Sequence, residues 1–219
     1  MVDYMKAQEG MTKFQQLFTK RPPIRYEVIR ELNSWRKILY WTKLIGQDHD
    51  KYEGAGYGNL SQRLEPYSFP RNKRRFVITG TQTGNLKDLT QEHYTIVLEC
   101  YPEKNLVVVE GPIEASSESM THGTIYYLDD SLRFVFHAHS PHIWSCSRIL
   151  EIPTTRENVE YGTPEMAEEV RILFKNSDVK DKHIFSMGGH ENGVITFGRT
   201  SEEAGLVMLK YLAKSLRLL

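Results

Sequence analysis

Apolar residues recur at helical spacing just after the chain breaker Pro22-Pro23. They are Ile24, Val28, Leu32, Trp35 and Leu39. Residues three or four apart share one face of an α-helix, so this stripe predicts an amphipathic helix that covers a core. The next glycine, Gly46, is expected to mark its end.

Two further helices are predicted in the last quarter of the chain. Thr163, Pro164 and Glu165 combine an N-cap, a proline at the first helical position and an acid in the first turn. The apolar face that follows consists of Met166, Val170 and Phe174. The acidic sequence from Ser201 to Glu203 is expected to cap a last helix. Its apolar residues are Leu206, Leu209, Leu212 and Leu216.

The middle of the chain is dominated by short β-prone runs. A glycine-rich loop at residues 54–59 precedes runs at residues 76–79, 94–100 and 106–110, and another run lies at residues 194–197. Ser116 and Ser117 are candidate N-caps of a short helix over residues 118–126. Along residues 132–139 the side-chain character alternates with the period of two that is typical of a strand. The pattern therefore predicts a three-layer α/β/α domain with a central, predominantly antiparallel or mixed sheet.

Length and composition narrow the class of protein. The 219 residues fit one domain, which we assign to residues 23–219, with residues 1–22 as an N-terminal extension. Lys plus Arg and Asp plus Glu number 28 each, so no net charge favours nucleic acid or a membrane. The two cysteines have no metal-type spacing, and neither a secretory signal nor a membrane-spanning run is evident. We therefore expect a soluble cytoplasmic protein.

A pair of histidines offers the first candidate for chemistry. His137 and His139 lie one residue apart in a predicted strand, where side chains at alternate positions share a face and can reach one ion. With eight histidines in the chain, roughly 0.3 such pairs arise by chance, and hydrogen bonding to the backbone at a strand end is the simpler explanation for an isolated pair. The pair alone does not establish a metal site.

His190 and Glu118 extend this candidate site. His190 follows two glycines in a loop that leads into a strand, so it is a natural third ligand, although an ordinary loop histidine has the same signature. Three imidazoles on zinc leave the open position that a catalytic metal needs. Glu118 and His122 are four residues apart, so His122 either orients the carboxylate or forms a solvated pair with it. Cupin and zinc-deaminase spacings are both missing from the sequence.

Five short motifs occur in an order that resembles the class II aldolase/adducin family. They are residues 58–61 (GNLS), residues 78–84 (ITGTQTG), Ser116-Ser-Glu118 with His122, residues 137–140 (HAHS), and His190 followed by residues 193–195 (GVI). The match to the family covers roughly residues 25 to 215. The chain departs from the pattern at Gly56, where sugar-phosphate aldolases often carry a hydroxyl residue, and at Asn158, near the position of their catalytic tyrosine.

The resemblance implies a role for each matching residue. His137, His139 and His190 would bind one zinc ion per subunit, and Glu118 would be the catalytic acid that also touches the metal. The phosphate of a substrate would be held by Gly58, Asn59, Thr83, Gly84, Ser116 and Ser117. Backbone N–H groups and short hydroxyls suit that role without net positive charge. Tyr161 is a candidate proton donor because it lies near the unmatched tyrosine position.

The resemblance implies a zinc-dependent aldehyde-lyase that cleaves a ketose phosphate or a related hydroxy-carbonyl compound through a metal-stabilised enediolate. It further implies a homotetramer with active sites at the subunit interfaces. Two related reactions remain open, those of the pentulose-phosphate 4-epimerases and the thiosugar-phosphate dehydratases of the same family. A non-catalytic adducin-like binding module is the alternative from another class, although such modules lack the metal histidines that this chain retains.

Overall fold

A computed structural model describes residues 10–218 of the chain. Its strands are β1 (Gln15–Lys20), β2 (Gly46–Gln47), β3 (Gly56–Tyr57), β4 (Asn59–Arg63), β5 (Phe76–Thr79), β6 (Tyr94–Tyr101), β7 (Leu106–Gly111), β8 (Phe134–His139), β9 (Ile184–Ser186) and β10 (Gly193–Gly198). Its helices are α1 (Tyr26–Trp41), α2 (Ser119–Leu128), α3 (Pro141–Ser145), α4 (Pro164–Asn176), α5 (Val179–Lys182) and α6 (Ser201–Leu216).

Eight strands form one sheet in the order β1-β7-β6-β5-β4-β8-β10-β9. β1 pairs with β7 in parallel, and the other neighbours pair antiparallel, so the sheet is mixed. β2 and β3 form a separate antiparallel ribbon. The prediction of a predominantly antiparallel or mixed sheet is confirmed.

Helices cover both faces of this sheet. Because strand side chains alternate between faces, Phe76 and Ile78 of β5 join the core beneath α2 and α4, whereas Val77 joins the core beneath α1, α3 and α6. The buried aromatic residues Phe134 and Phe136 of β8 lie on the latter side, and Val135 lies on the former. This arrangement confirms the predicted three-layer α/β/α architecture.

The helix starts are set by local side chains. Thr163 caps α4 as predicted, since its hydroxyl accepts a hydrogen bond from the Met166 amide at 3.2 Å. Two predicted caps are wrong by one or more residues. Thr200, and not Ser201, caps α6 by accepting from the Glu203 amide. Glu118 occupies the N-cap position of α2, beyond the predicted caps at Ser116 and Ser117.

The first helix ends earlier than the predicted limit near Gly46. Lys43 adopts a left-handed conformation with φ of 59°, and the Lys43 and Leu44 amides donate to the carbonyls of Tyr40 and Leu39. This is a Schellman ending, usually formed by glycine, so a lysine at this position gave no signal in the sequence. The early turn lets Leu44 and Ile45 enter the core.

Three strands of the large sheet have no counterpart among the predicted runs: β1, β4 and β9. β1 falls within residues 1–22, which we set apart as an N-terminal extension, and it pairs with β7 along its whole length. Residues 1–9 of that extension lie outside the described residues, and the division into extension and domain stays a prediction.

No helix in residues 10–218 is both long and apolar enough to cross a membrane.

Candidate active site

The sheet brings the three candidate metal ligands together. His137 and His139 are on β8 and share the face on which Val135 lies, because all three occupy alternate positions of the strand. His190 lies in the loop before β10, which pairs with β8 so that Gly193 is opposite His139. A Cβ atom on Gly189 would meet the Val159 carbonyl oxygen at 2.0 Å, so glycine is required where this loop packs.

The three imidazoles form a compact buried cluster. Each offers one nitrogen, and these three atoms lie within 4.8 Å of one another. The exposed fractions of His137, His139 and His190 are 1%, 2% and 3%. Burial, followed by the neighbouring histidines, holds the pKa of His139 well below its ordinary value of 6.5. Its neutral form, which binds metals, is therefore favoured, and the donor set fits a zinc ion.

Glu118 lies directly against this cluster. Its Oε1 atom is 3.2 Å from Nδ1 of His190, and its Oε2 atom accepts a hydrogen bond from the Thr121 hydroxyl at 2.8 Å. Burial alone would raise the pKa of this carboxyl, but His190, His137 and Thr121 together outweigh it and lower the pKa to about 2. Glu118 is thus held as a carboxylate, the form that can accept a proton.

His122 lies in the protein interior beside this site. It is fully buried, which excludes a solvated pair, and its Nδ1 atom lies 2.7 Å from the Ser61 hydroxyl oxygen. Burial, more than the nearby His137, lowers the pKa of His122 to about 3, so the ring is neutral. It packs behind the site and links α2 to β4.

The six residues assigned to phosphate binding converge on one cleft. Gly58, Asn59, Thr83, Gly84, Ser116 and Ser117 line it together with Glu118 and His137. Gly58 has φ of 81°, and a Cβ atom there would meet Ile45 at 2.6 Å, so this turn requires glycine. The side-chain oxygen of Asn59 is buried and has no hydrogen-bond partner within residues 10–218. The cleft thus brings glycine backbone, hydroxyls and an amide side chain together beside His137.

A buried arginine braces this cleft from the opposite side of the sheet. Arg36 of α1 is only 1% exposed and donates hydrogen bonds to the carbonyl oxygens of Thr83, Gly84 and Lys87. A charged donor shared among three carbonyls fixes the turn that contains Thr83 and Gly84. We predicted only apolar contacts for this face of α1, so the sequence analysis assigned no role to Arg36.

Replacing Arg36 with Met is expected to destabilise the protein by about 3 kcal/mol, because buried carbonyl oxygens lose charged hydrogen-bond donors. Urea unfolding would measure the loss. Arg30 on the exposed face of α1 provides the matched control, and Arg30→Met should stay within about 0.5 kcal/mol of wild type. Equal effects of the two substitutions would show that Arg36 does not brace the turn.

Tyr161 lies against His190 and is not among the residues that line the cleft. Its ring stacks on that of His190, with 4.3 Å between centroids, and is only 4% exposed. Both residues line a second opening, to which Lys13 and Glu160 also contribute. Lys13 lies 3.8 Å above the Tyr161 ring and pairs with Glu160 at 3.1 Å. The site residues proposed from the sequence therefore belong to the histidine cluster or line one of these two openings.

Most of the chain matches one known protein family. The family model described as the class II aldolase and adducin N-terminal domain matches residues 37–217, which is most of the chain. The chain belongs to the class II aldolase/adducin family. No curated protein sequence matches it.

Solved structures of class II aldolases share the fold at low sequence identity. L-fuculose-1-phosphate aldolase from Thermus thermophilus is 21% identical, with a TM-score of 0.61 and coverage of 89% of this chain and 93% of that one. A sugar-phosphate aldolase from Thermotoga maritima is 17% identical, with a TM-score of 0.61 and coverage of 88% and 94%. An N-terminal class II aldolase domain from Thermoplasma acidophilum is 18% identical, with a TM-score of 0.55 and coverage of 87% and 92%.

Besides Arg36, the sequence analysis missed Thr121, Tyr52 and Asn192, which lie at or beside the histidine cluster. Thr121 could have been found, because it follows Glu118 by three residues on one helix, a spacing that allows contact. Tyr52 and Asn192 gave no such signal. They are joined by a hydrogen bond, although 140 positions separate them.

Proposed function

We propose that this protein is a zinc-dependent aldehyde-lyase that cleaves a ketose phosphate or a related hydroxy-carbonyl compound. The observation that carries the proposal is the contact of Glu118 with a buried three-histidine cluster, beside a cleft lined by glycines and hydroxyls. A structural role alone would not require a charged carboxylate, three imidazoles and an anion cradle to meet at one point.

His137, His139 and His190 would hold the metal and leave a position for substrate. When bound, zinc supplies a Lewis acid that stabilises negative charge on substrate oxygen. The Glu118 carboxylate would move a proton to or from the carbon at which the bond breaks. The hydrogen bond from Thr121 to Oε2 of Glu118 leaves Oε1, beside His190, as the atom best placed for that transfer.

The substrate would lie across the centre, with its anionic end in the cradle. Gly58, Asn59, Thr83, Gly84, Ser116 and Ser117 would bind that anion through amides and hydroxyls. The other end of the substrate would point towards Tyr161, which we propose as the group that takes the proton from the substrate hydroxyl as it becomes the aldehyde carbonyl, and that returns this proton in the reverse reaction. Its ring is already fixed by stacking on His190.

Assays of the zinc-loaded protein on a panel of ketose phosphates test this proposal. We expect aldehyde release from at least one of them, and loss of that activity when the metal is removed by a chelator. Epimer formation without aldehyde would instead indicate an epimerase, and loss of water a dehydratase. A protein that neither binds zinc nor turns over any substrate would be a binding module, as the adducin-like alternative requires.

We further propose a homotetramer with active sites between subunits, as the resemblance implies. Light scattering should then give a mass of about four times the 25.5 kDa of one chain. A monomer in solution would contradict this part of the proposal.

A cytoplasmic location also stays a prediction, consistent with Cys100 and Cys146, which are both unpaired and buried.

A further inference from the structure

A tyrosine outside the family motifs packs on one of the candidate metal ligands. The Tyr52 ring meets His139 edge-on, with 4.6 Å between centroids and an angle of 81° between planes. Tyr57 contacts both rings, at 5.1 Å from Tyr52 and 5.3 Å from His139. The two tyrosines therefore restrict the directions in which the His139 imidazole can turn.

The same tyrosine is tied to the loop that carries His190. The side-chain amide of Asn192 donates a hydrogen bond to the Tyr52 hydroxyl oxygen at 2.7 Å. The Asn192 carbonyl oxygen accepts from the Ser140 amide at 2.8 Å, directly after His139. The Gly193 amide donates to the His190 carbonyl oxygen, also at 2.8 Å. Asn192 thus connects the two histidine-bearing segments through its backbone and through Tyr52.

Both ends of this hydrogen bond have left-handed backbone conformations. The φ angles are 52° for Tyr52, 56° for Glu53 and 63° for Asn192. Asparagine tolerates this region, but for a bulky residue such as tyrosine the conformation is unfavourable and persists only when surrounding contacts stabilise it. Strained backbone of this kind concentrates at functional sites, and here it lies on both sides of the histidine cluster.

We propose that Tyr52 is a positioning residue, which with Asn192 fixes His139 and His190 at the separation that zinc binding needs. This inference rests on the proposed zinc site. Metal ligands that are not held in place must be ordered when the ion binds. Loss of an outer contact, one that holds a ligand side chain without touching the metal, typically lowers metal affinity 10- to 100-fold. Tyr52 acts through the orientation of the histidines and takes no part in the chemistry.

Zinc affinity of Tyr52→Phe, measured by competition with a chromophoric chelator, tests the inference. We expect a loss of about tenfold, because the substitution keeps the aromatic ring against His139 and removes the hydroxyl that accepts the hydrogen bond from Asn192. Cobalt(II) in place of zinc should show altered d–d absorption bands, since these report ligand geometry. Tyr94→Phe is a matched control, because the Tyr94 hydroxyl bonds to the Asn33 side chain at 2.9 Å within the core on the opposite face of the sheet. Its zinc affinity should equal that of wild type.

Asn192→Gly removes the other end of the hydrogen bond while keeping a backbone that accepts positive φ. Its affinity loss should resemble that of Tyr52→Phe, and the double variant should lose no more than either single variant. Additive losses, or equal affinities for Tyr52→Phe and Tyr94→Phe, would overturn the inference while the zinc site stands. A wild-type protein that binds no zinc would overturn the proposed function and this inference together.

Discussion

Replacing Glu118 with Gln is expected to lower turnover by about 10² to 10⁴-fold, the range typical for removal of a general acid or base. The substitution removes the proton-transfer group with little change in volume. Glutamine can still accept the hydrogen bond that Thr121 donates at 2.8 Å, so the fold and much of the zinc affinity should be retained. Steady-state kinetics on the substrate identified by the ketose-phosphate panel would measure the effect, together with zinc content.

Glu114 offers the control for this experiment. It lies four residues before Glu118 on the same connection, but its side chain is exposed. Glu114→Gln should leave turnover unchanged. If Glu118→Gln were as active as Glu114→Gln, the proton would have to be moved by another group, and Tyr161 would be the first to test because it stacks on His190.

Replacing His190 with Ala is expected to lower zinc affinity by more than the 10- to 100-fold typical of outer contacts, because it removes one of three ligands. We expect the wild-type protein to hold about one zinc ion per chain and His190→Ala to hold close to none after dialysis against a weak chelator. Metal analysis by mass spectrometry measures both. His137→Ala should give the same result, since its ring belongs to the same cluster.

His49 is an exposed histidine outside the three-histidine cluster, so His49→Ala controls for loss of any imidazole. It should retain the wild-type zinc content. Unfolding of His190→Ala in urea should also be compared with that of wild type without metal. A variant that folds normally and still holds one zinc ion would show that His190 is not a ligand.

The sequence by itself determined the elements whose signals are local. The start of α4 was predicted because Thr163, Pro164 and Glu165 act within one turn of the helix. β5 was predicted because Phe76 to Thr79 is a buried β-prone run. The two histidines of β8 share a face through strand geometry alone, so their convergence also followed from spacing.

Elements that depend on distant partners were not determined in this way. β1 is a largely polar segment at the edge of the sheet, and only its parallel pairing with β7 makes it a strand. Arg36 is buried because Thr83, Gly84 and Lys87 supply carbonyl acceptors, and no periodicity of α1 reveals those partners.

The candidate site shows the same contrast between local signals and distant contacts. Its residue types and their order were readable from the chain, because short motifs fix local geometry around each histidine, glycine and serine. The contact between Glu118 and His190, and the bond between Tyr52 and Asn192, join segments far apart in sequence. Only the tertiary structure decided them, because the relative positions of such segments are set by sheet pairing and core packing and by no local preference of the chain.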